Sequence, residues 1–419
     1  MDGYKSLLKR HAVLFENFTY ISILQIFVLV SPLITYPYLV RVLGKELYGW
    51  VITAQIIASY CSILVDFGFK RVSARHVAVF RDNKEKLSEI ISTILTLQIL
   101  LWFCCLLLYF AVIYFIPLYR QHFWLFIFSF GLTFNELLFP QYFFQGIEKM
   151  KYITILNILI RLIFVWLIFS CIRTAADYVY VPLLFTIGYF IGGILSLYFI
   201  FVREGLTFCR PSYSNMKFYL KDASPVFFTD VICTIKDKLN YILLGSLVGM
   251  GNVVVYDLGS KFVNVLLKPA TIVETVIFPK VARERNLRLF NRVIFILVGV
   301  IGVGVILLNI FLPWVVRFFI AEDICLLPIR LYLLAPIIVG ASSFISSNLF
   351  VALGYTKYVL YSIIVTTIVY LALLFGMYFA GYLTTVTSFI LLTVLSYLGE
   401  LFYRVAIMHK IKKMEISAA

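Results

Sequence analysis

Long apolar runs recur about every 25 to 40 residues from one end of the chain to the other, separated by short polar segments. A bilayer core takes about 20 apolar residues per helix, so this spacing predicts membrane-crossing helices. The strands of a barrel would instead alternate in segments of about 10 residues. The runs fall near 16–40, 48–69, 89–116, 122–144, 152–172, 178–202, 223–248, 253–279, 291–316, 329–352, 358–380 and 383–408. The expected fold class is therefore an all-α polytopic membrane protein of twelve transmembrane helices. A weak internal duplication, "RVLGKELYGW" against "SLVGMGNVVVYD", predicts two six-helix lobes, 1–210 and 211–419, around a central cavity of the kind secondary transporters use.

One stretch interrupts the pattern. "TDVICTIKDKLNYILLG" carries Asp230, Lys236, Asp237 and Lys238 among apolar neighbours, and could be a loop or a span. Composition excludes a soluble globular chain, with 62% hydrophobic residues, 14% charged residues and a mean hydropathy of +0.98. The net charge of +15 does not point to nucleic acid, because the basic residues form no continuous stripe. With the N-terminus inside, 24 of the 36 Lys and Arg fall in inner segments and 6 in outer loops. That bias predicts both termini cytoplasmic. The basic segments 203–222 and 280–292 must both lie inside, so two spans fit between them, with "GMGN" as their turn, and the charged stretch becomes a span. No cleavable leader pattern is recognisable, and the first apolar run is long enough to remain as a span.

A charge at mid-bilayer costs about 2.5 to 3.5 kcal/mol on insertion scales and normally faces a bundle interior or a watery cavity. Helical phase places Asp230, Thr234, Asp237 and Tyr241 on one face, with Lys236 and Lys238 at its flanks. In the next span Asp257, Lys261, Asn264, Lys268, Thr271 and Thr275 share a face. Pairing of Asp257 with Lys261 at i, i+4 accounts for part of this stripe but not for its length, so a solvated cavity wall is favoured. Elsewhere Glu136 and Arg161 either pair or face the cavity. Glu400 and Arg404 read as a structural i, i+4 pair, and Asp66 as a partner of Lys70. Arg41 reads as a snorkelling side chain or as a cation at the cavity mouth. Pro32 and Pro37 predict a bend in the first span.

The seven cysteines form no CxxC pair and predict neither a disulfide framework nor a metal site. His11, His76, His122 and His409 stand near span ends as polar handles. There is no GxxxxGK[ST], HExxH or GxSxG, which argues against ATP-driven transport by this chain alone and against an enzyme.

Three segments carry a family resemblance: "SPLITYPYLVRVLGKELYG", "QYFFQGIEKMKYIT", and "YDLGSKFVNVL" with "VIFPKVARE". They resemble Wzx-type O-antigen and polysaccharide flippases of the multidrug/oligosaccharidyl-lipid/polysaccharide exporter superfamily. The resemblance implies translocation of an undecaprenyl-diphosphate-linked oligosaccharide repeat unit across a bacterial inner membrane by ion-coupled alternating access. It implies a lipid-linked glycan and the bilayer as partners, with a polysaccharide polymerase and a chain-length regulator as further ones, and no nucleic acid. A diphosphate headgroup calls for cations, and Arg41, Arg161, Lys236, Lys238, Lys261 and Lys268 are the candidates to bind it. Asp230, Asp237 and Glu274 are the candidates to bind a coupling H⁺ or Na⁺; no cofactor or metal is expected. The alternatives are a small-molecule or drug antiporter of the same superfamily, whose pocket would be smaller and more acidic, and an integral-membrane polysaccharide polymerase. A polymerase would need a long outer loop that the sequence lacks.

Overall fold

The computed structural model describes residues 2–284 and 287–418; the side chains of 2–15, 18, 275, 276, 279, 284 and 413–418, which include those of His11 and Thr275, lie outside the described residues. Every long element among the described residues is a helix. Nine helical stretches among them are long and apolar enough to cross a membrane by length and composition. The chain forms two compact units, Met1–Ile235 and Lys236–Ala419. Their boundary lies inside a helix that begins just after the loop where the sequence predicts the lobes to meet.

In the first unit, α1 (Asp2–Asp66) covers the first two apolar runs. Pro32 and Pro37 lie within it at helical backbone angles, and it breaks at Gly44 (φ 76°, ψ 162°), inside the expected outer turn. Glycine enters that left-handed region without the Cβ clash that penalises other residues. Amphipathic α2 (Phe69–Val79) buries Phe69, Val72, Ser73 and Val77, and precedes α3 (Lys84–Phe115), whose N-terminus is capped by the Asn83 side chain. After α4 (Pro117–Arg120), the fourth apolar run is divided into α5 (Phe123–Phe130), a 3₁₀ turn, α6 (Phe134–Leu138) and, beyond Pro140, α7 (Gln141–Gly146). Two long helices follow, α8 (Met150–Cys171) and α9 (Tyr180–Tyr198).

Helix α1 packs against α3, α5 and α8, and α9 packs against α6 and α8. Lipid gives no hydrophobic drive between helices, so close approach of small residues must supply it. Gly192 and Gly193 do this on α9: a Cβ at Gly192 would lie 2.4 Å from Ile160 Cδ1 of α8, and one at Gly193 2.4 Å from Leu138 Cβ of α6.

Helix α10 (Tyr213–Leu247) carries the unit boundary. The second unit continues with α11 (Met250–Glu284), α12 (Leu287–Ile320), α13 (Leu327–Tyr332) and α14 (Ala335–Ile345), which ends in a π turn at Ser346–Val351. It closes with α15 (Lys357–Phe379) and α16 (Val386–Ala418). Helix α14 is packed by α11, α12 and α16, and α15 lies along α16. Outward faces are apolar: Phe295, Ile306 and Trp314 of α12 are all well exposed, as a lipid-facing helix requires. The seven cysteines are all unbridged.

Candidate functional site: two charge clusters

The first cluster forms where α1 turns into α2. Phe67 (φ 47°) and Gly68 (φ 77°) are both left-handed there. Gly68 is required twice over, since a Cβ would also meet Val226 Cβ at 3.0 Å and the Ala223 carbonyl at 3.2 Å. The Phe67 ring stacks on Phe227 of α10, 4.2 Å between centroids. Asp66 accepts the backbone N–H of Lys70 at 3.2 Å, so it caps the start of α2. The Lys70 ammonium goes elsewhere, to Glu136 at 2.5 Å. The Asp66–Lys70 salt bridge read from sequence is thus a backbone cap, and Glu136 pairs with Lys70 rather than with Arg161. Arg161, half-buried, lies by Tyr189, whose hydroxyl also senses Glu136 and Lys70, and its Nε has no hydrogen-bond partner among the described residues.

Next to this cluster α2 is fastened along α10. Arg71 pairs with Asp230, and Arg75 and His76 both donate to Asp222, at 2.9 Å and 2.8 Å, His76 through Nε2. Asp222 lies outside the predicted span; its carboxyl is held below the ordinary range chiefly by the His76 hydrogen bond, with Arg75 adding to the effect against the opposing cost of burial.

The second cluster lies wholly in the second unit. Arg404 of α16 is 7% exposed, so its guanidinium must be fully engaged. It donates to Glu400 at 2.6 Å, to Ser342 of α14 at 3.0 Å, and to Ser362 of α15 at 3.1 Å from Nε and 3.0 Å from a terminal nitrogen. Glu274 of α11 hydrogen-bonds Ser343 and lies in the field of Arg404. Lys236 reaches Asp237 at 3.5 Å and Glu400 at 4.0 Å, with its ammonium 5.4 Å from the centre of the Tyr397 ring. Lys236, Asp237, Ser342, Ser343, Tyr397, Glu400 and Arg404, with Val339, line a cavity of about 240 Å³. Two cations face two carboxylates in it, so it is polar and charge-balanced rather than simply cationic.

A neutral network flanks these charges. The Asn240 amide, 1% exposed, donates to Thr393 at 2.8 Å and to Tyr256 at 3.2 Å, and accepts from Tyr370 at 2.7 Å. Tyr332 donates to Tyr256 at 3.4 Å. Four helices, α10, α11, α15 and α16, are thereby joined through one side chain.

The residues singled out in the sequence are distributed as follows. Lys236, Asp237 and Glu274 belong to the second cluster or touch it, and Arg161 belongs to the first. Asp230 is engaged by Arg71 in the first unit, so the face expected to hold Asp230, Thr234, Asp237 and Tyr241 is divided among separate partners. Lys261 pairs with Asp257, which also accepts from Tyr241 at 3.4 Å, as the i, i+4 spacing predicts. Lys238 and Lys268 are half-buried outside the cavity lining, and Arg41 is exposed. Sequence reasoning missed the reach of Arg404 and the centrality of Asn240. It read Lys70 only as a partner of Asp66 and did not single out Arg71, whose partner Asp230 lies on another helix. No group of three metal-ligating side chains occurs among the described residues.

The profile of the family described as "Polysaccharide biosynthesis protein" matches residues 14–285. A protein of Escherichia coli (strain K12), provisionally named an O-antigen transporter, is 27% identical over 285 residues, covering 67% of this chain and 68% of its own. A protein of the same name from Shigella dysenteriae is 29% identical over 218 residues, covering 52% and 54%. Among solved structures, the lipid II flippase MurJ in an inward closed conformation superposes with a TM-score of 0.67 at 17% identity, over 92% of this chain and 86% of that one. A multidrug resistance MATE transporter of the MOP superfamily, inward-facing, gives 0.69 at 13% identity, over 91% and 96%. At these identities the structures speak to fold alone. The relatives and folds are those of transporters rather than enzymes.

Proposed function

Because the chain belongs to the polysaccharide biosynthesis protein family, we propose that it is a flippase for a lipid-linked polysaccharide precursor, an undecaprenyl-diphosphate-linked oligosaccharide, in a bacterial inner membrane. Support comes from the O-antigen transport assigned to its relatives and from the flippase and exporter folds it resembles. The observation that carries the reading is the charged cavity inside a bundle of membrane-type helices, lined by Lys236, Asp237, Glu400 and Arg404. Charges are costly at that depth and are retained where a polar solute must pass. Lys236 would meet phosphate oxygens, while Arg404 holds Glu400, Ser342 and Ser362 in place around the cavity. Ser342, Ser343 and Tyr397 would offer hydroxyls to the glycan.

A twelve-span topology with cytoplasmic termini accompanies this proposal. Nine stretches pass the composition test; dividing α1 at Gly44 adds one, and α10 and α11 add two more. Those two carry the charges a transporter would use. Coupling to H⁺ or Na⁺ is proposed at Glu274, since one of its carboxylate oxygens has no hydrogen-bond partner among the described residues and Arg404 stands nearby. Asp230 and Asp237 are each engaged by a cation instead.

The test is complementation. In cells lacking their own flippase, the wild-type chain restores surface polysaccharide, and Lys236→Ala expressed at the same level lowers it at least tenfold; full restoration by Lys236→Ala overturns the proposed role of the cavity. The exporter-like fold favours one second reading, a small-molecule antiporter. That reading predicts drug resistance without surface polysaccharide in the same cells.

A further inference from the structure

Two basic inner segments, 70–88 and 203–222, hold ten Lys and Arg against four Asp and Glu. The fold of the first unit joins them into one surface. Thr207 N–H donates to Ser88 at 3.2 Å, Cys209 N–H to Ser92 at 2.9 Å, the Asn215 amide to Glu89 at 2.5 Å, and Arg75 and His76 to Asp222. Between α2, the start of α3 and the start of α10 this surface encloses a cleft of about 490 Å³ lined by Arg75, His76, Lys86, Glu89 and Asn215 on its polar side. Its other side is apolar, with Val79 70%, Phe80 39% and Phe218 54% exposed. An apolar rim beside cations at the end of a membrane bundle suits an amphiphile whose charged end is anionic.

We propose that this cleft binds an anionic glycerophospholipid of the surrounding leaflet, its phosphate between Arg75 and Lys86 and the start of its acyl chains against Val79, Phe80 and Phe218. The proposal rests on the reading of the chain as membrane-spanning, and it names a ligand distinct from the transported one. Abundance argues for a bulk lipid. Arg75 already has Asp222 as a partner, and Lys86 has Glu89 at 2.7 Å, so any ligand must compete and only a component at high surface concentration would fill the site. Bound there, the lipid would brace α2 against α3 and α10.

The test is native mass spectrometry of the full-length protein in detergent with phosphatidylglycerol, phosphatidylcholine, inorganic phosphate or undecaprenyl diphosphate. The wild type is expected to retain phosphatidylglycerol over phosphatidylcholine. Lys86→Gln should weaken retention about two- to fivefold, the range of one exposed ion pair, and Phe218→Ser should weaken it without disturbing the charges. Equal retention of the two phospholipids overturns the proposal, as does unchanged retention in both variants. Displacement by inorganic phosphate would show a water-soluble anion site, and displacement by equimolar undecaprenyl diphosphate a substrate entry site; either overturns the phospholipid assignment. Retention is read without transport, so a failure of the flippase reading leaves this result standing, and the reverse holds equally.

Discussion

Arg404 donates to Glu400 one turn back on the same helix at 2.6 Å, and the remaining guanidinium donors reach Ser342 and Ser362 on two other helices. An i, i+4 ion pair on an exposed helix contributes a few tenths of a kcal/mol. Here burial raises the stakes, because removing one partner strands the other without solvent. Arg404→Ala is expected to destabilise the protein by about 3 to 5 kcal/mol, read as a lower thermal midpoint in detergent. The double variant Arg404→Met, Glu400→Met should recover much of that loss while remaining inactive in complementation. A double variant no more stable than Arg404→Ala would contradict the pairing.

Asn240 makes a prediction free of charge effects. Asn240→Ala removes a donor from Thr393 and Tyr256 and an acceptor from Tyr370, all buried. Each stranded group costs about 1 to 3 kcal/mol, so a clear fall in thermal midpoint is expected. Asn240→Asp places a carboxylate in the same network and should be better tolerated at acid than at neutral pH. An unchanged midpoint in Asn240→Ala would show that the network contributes little.

Helix contact in the first unit depends on absent side chains. Gly193→Val adds a Cβ where Leu138 Cβ stands 2.4 Å away, so α9 must move off α6. Overpacking of this kind costs about 1 to 3 kcal/mol. Gly193→Val should lower the yield of folded protein in detergent. The companion Gly299→Ala, at a position with open space around it, should not. Equal behaviour of the two would remove the close-approach explanation.

The fastening of α2 to α10 has a pH dependence whose sign follows from Asp222. Its carboxyl lies below the ordinary range of about 3.9, so its contribution is fully present above that value and is lost as pH falls through the lowered one. Amide exchange in residues 69–79 should therefore stay slow from neutral pH down to about 4 and rise only below it. Asp222→Asn should show the faster exchange already at pH 7. Protection that falls away well above pH 4 in the wild type would assign the fastening to another group.

Much of this was legible in the sequence, for physical reasons that also mark where legibility stops. Apolar run length and the Lys and Arg bias locate the helices, because the bilayer enforces both. The Asp257–Lys261 and Glu400–Arg404 pairs were readable because i, i+4 neighbours meet whatever the tertiary fold. Helical phase alone could not show that Asp230 turns to Arg71 on α2 while Asp237 turns to Lys236, since partners supplied by other helices leave no periodic mark. For the same reason Arg404 reads as one half of a local pair, although Ser342 and Ser362 lie 62 and 42 residues away along the chain. Gly44 breaks α1 inside the outer turn that the gap between the first two apolar runs marks.

The most direct measurement of the central claim uses purified protein in phospholipid vesicles carrying a fluorescent undecaprenyl-diphosphate-linked oligosaccharide, with leaflet exchange followed by quenching from outside. The account predicts that the wild-type protein speeds exchange well above protein-free vesicles and that Lys236→Ala and Arg404→Lys both slow it. Exchange no faster than in empty vesicles, from protein shown to be folded, would contradict it.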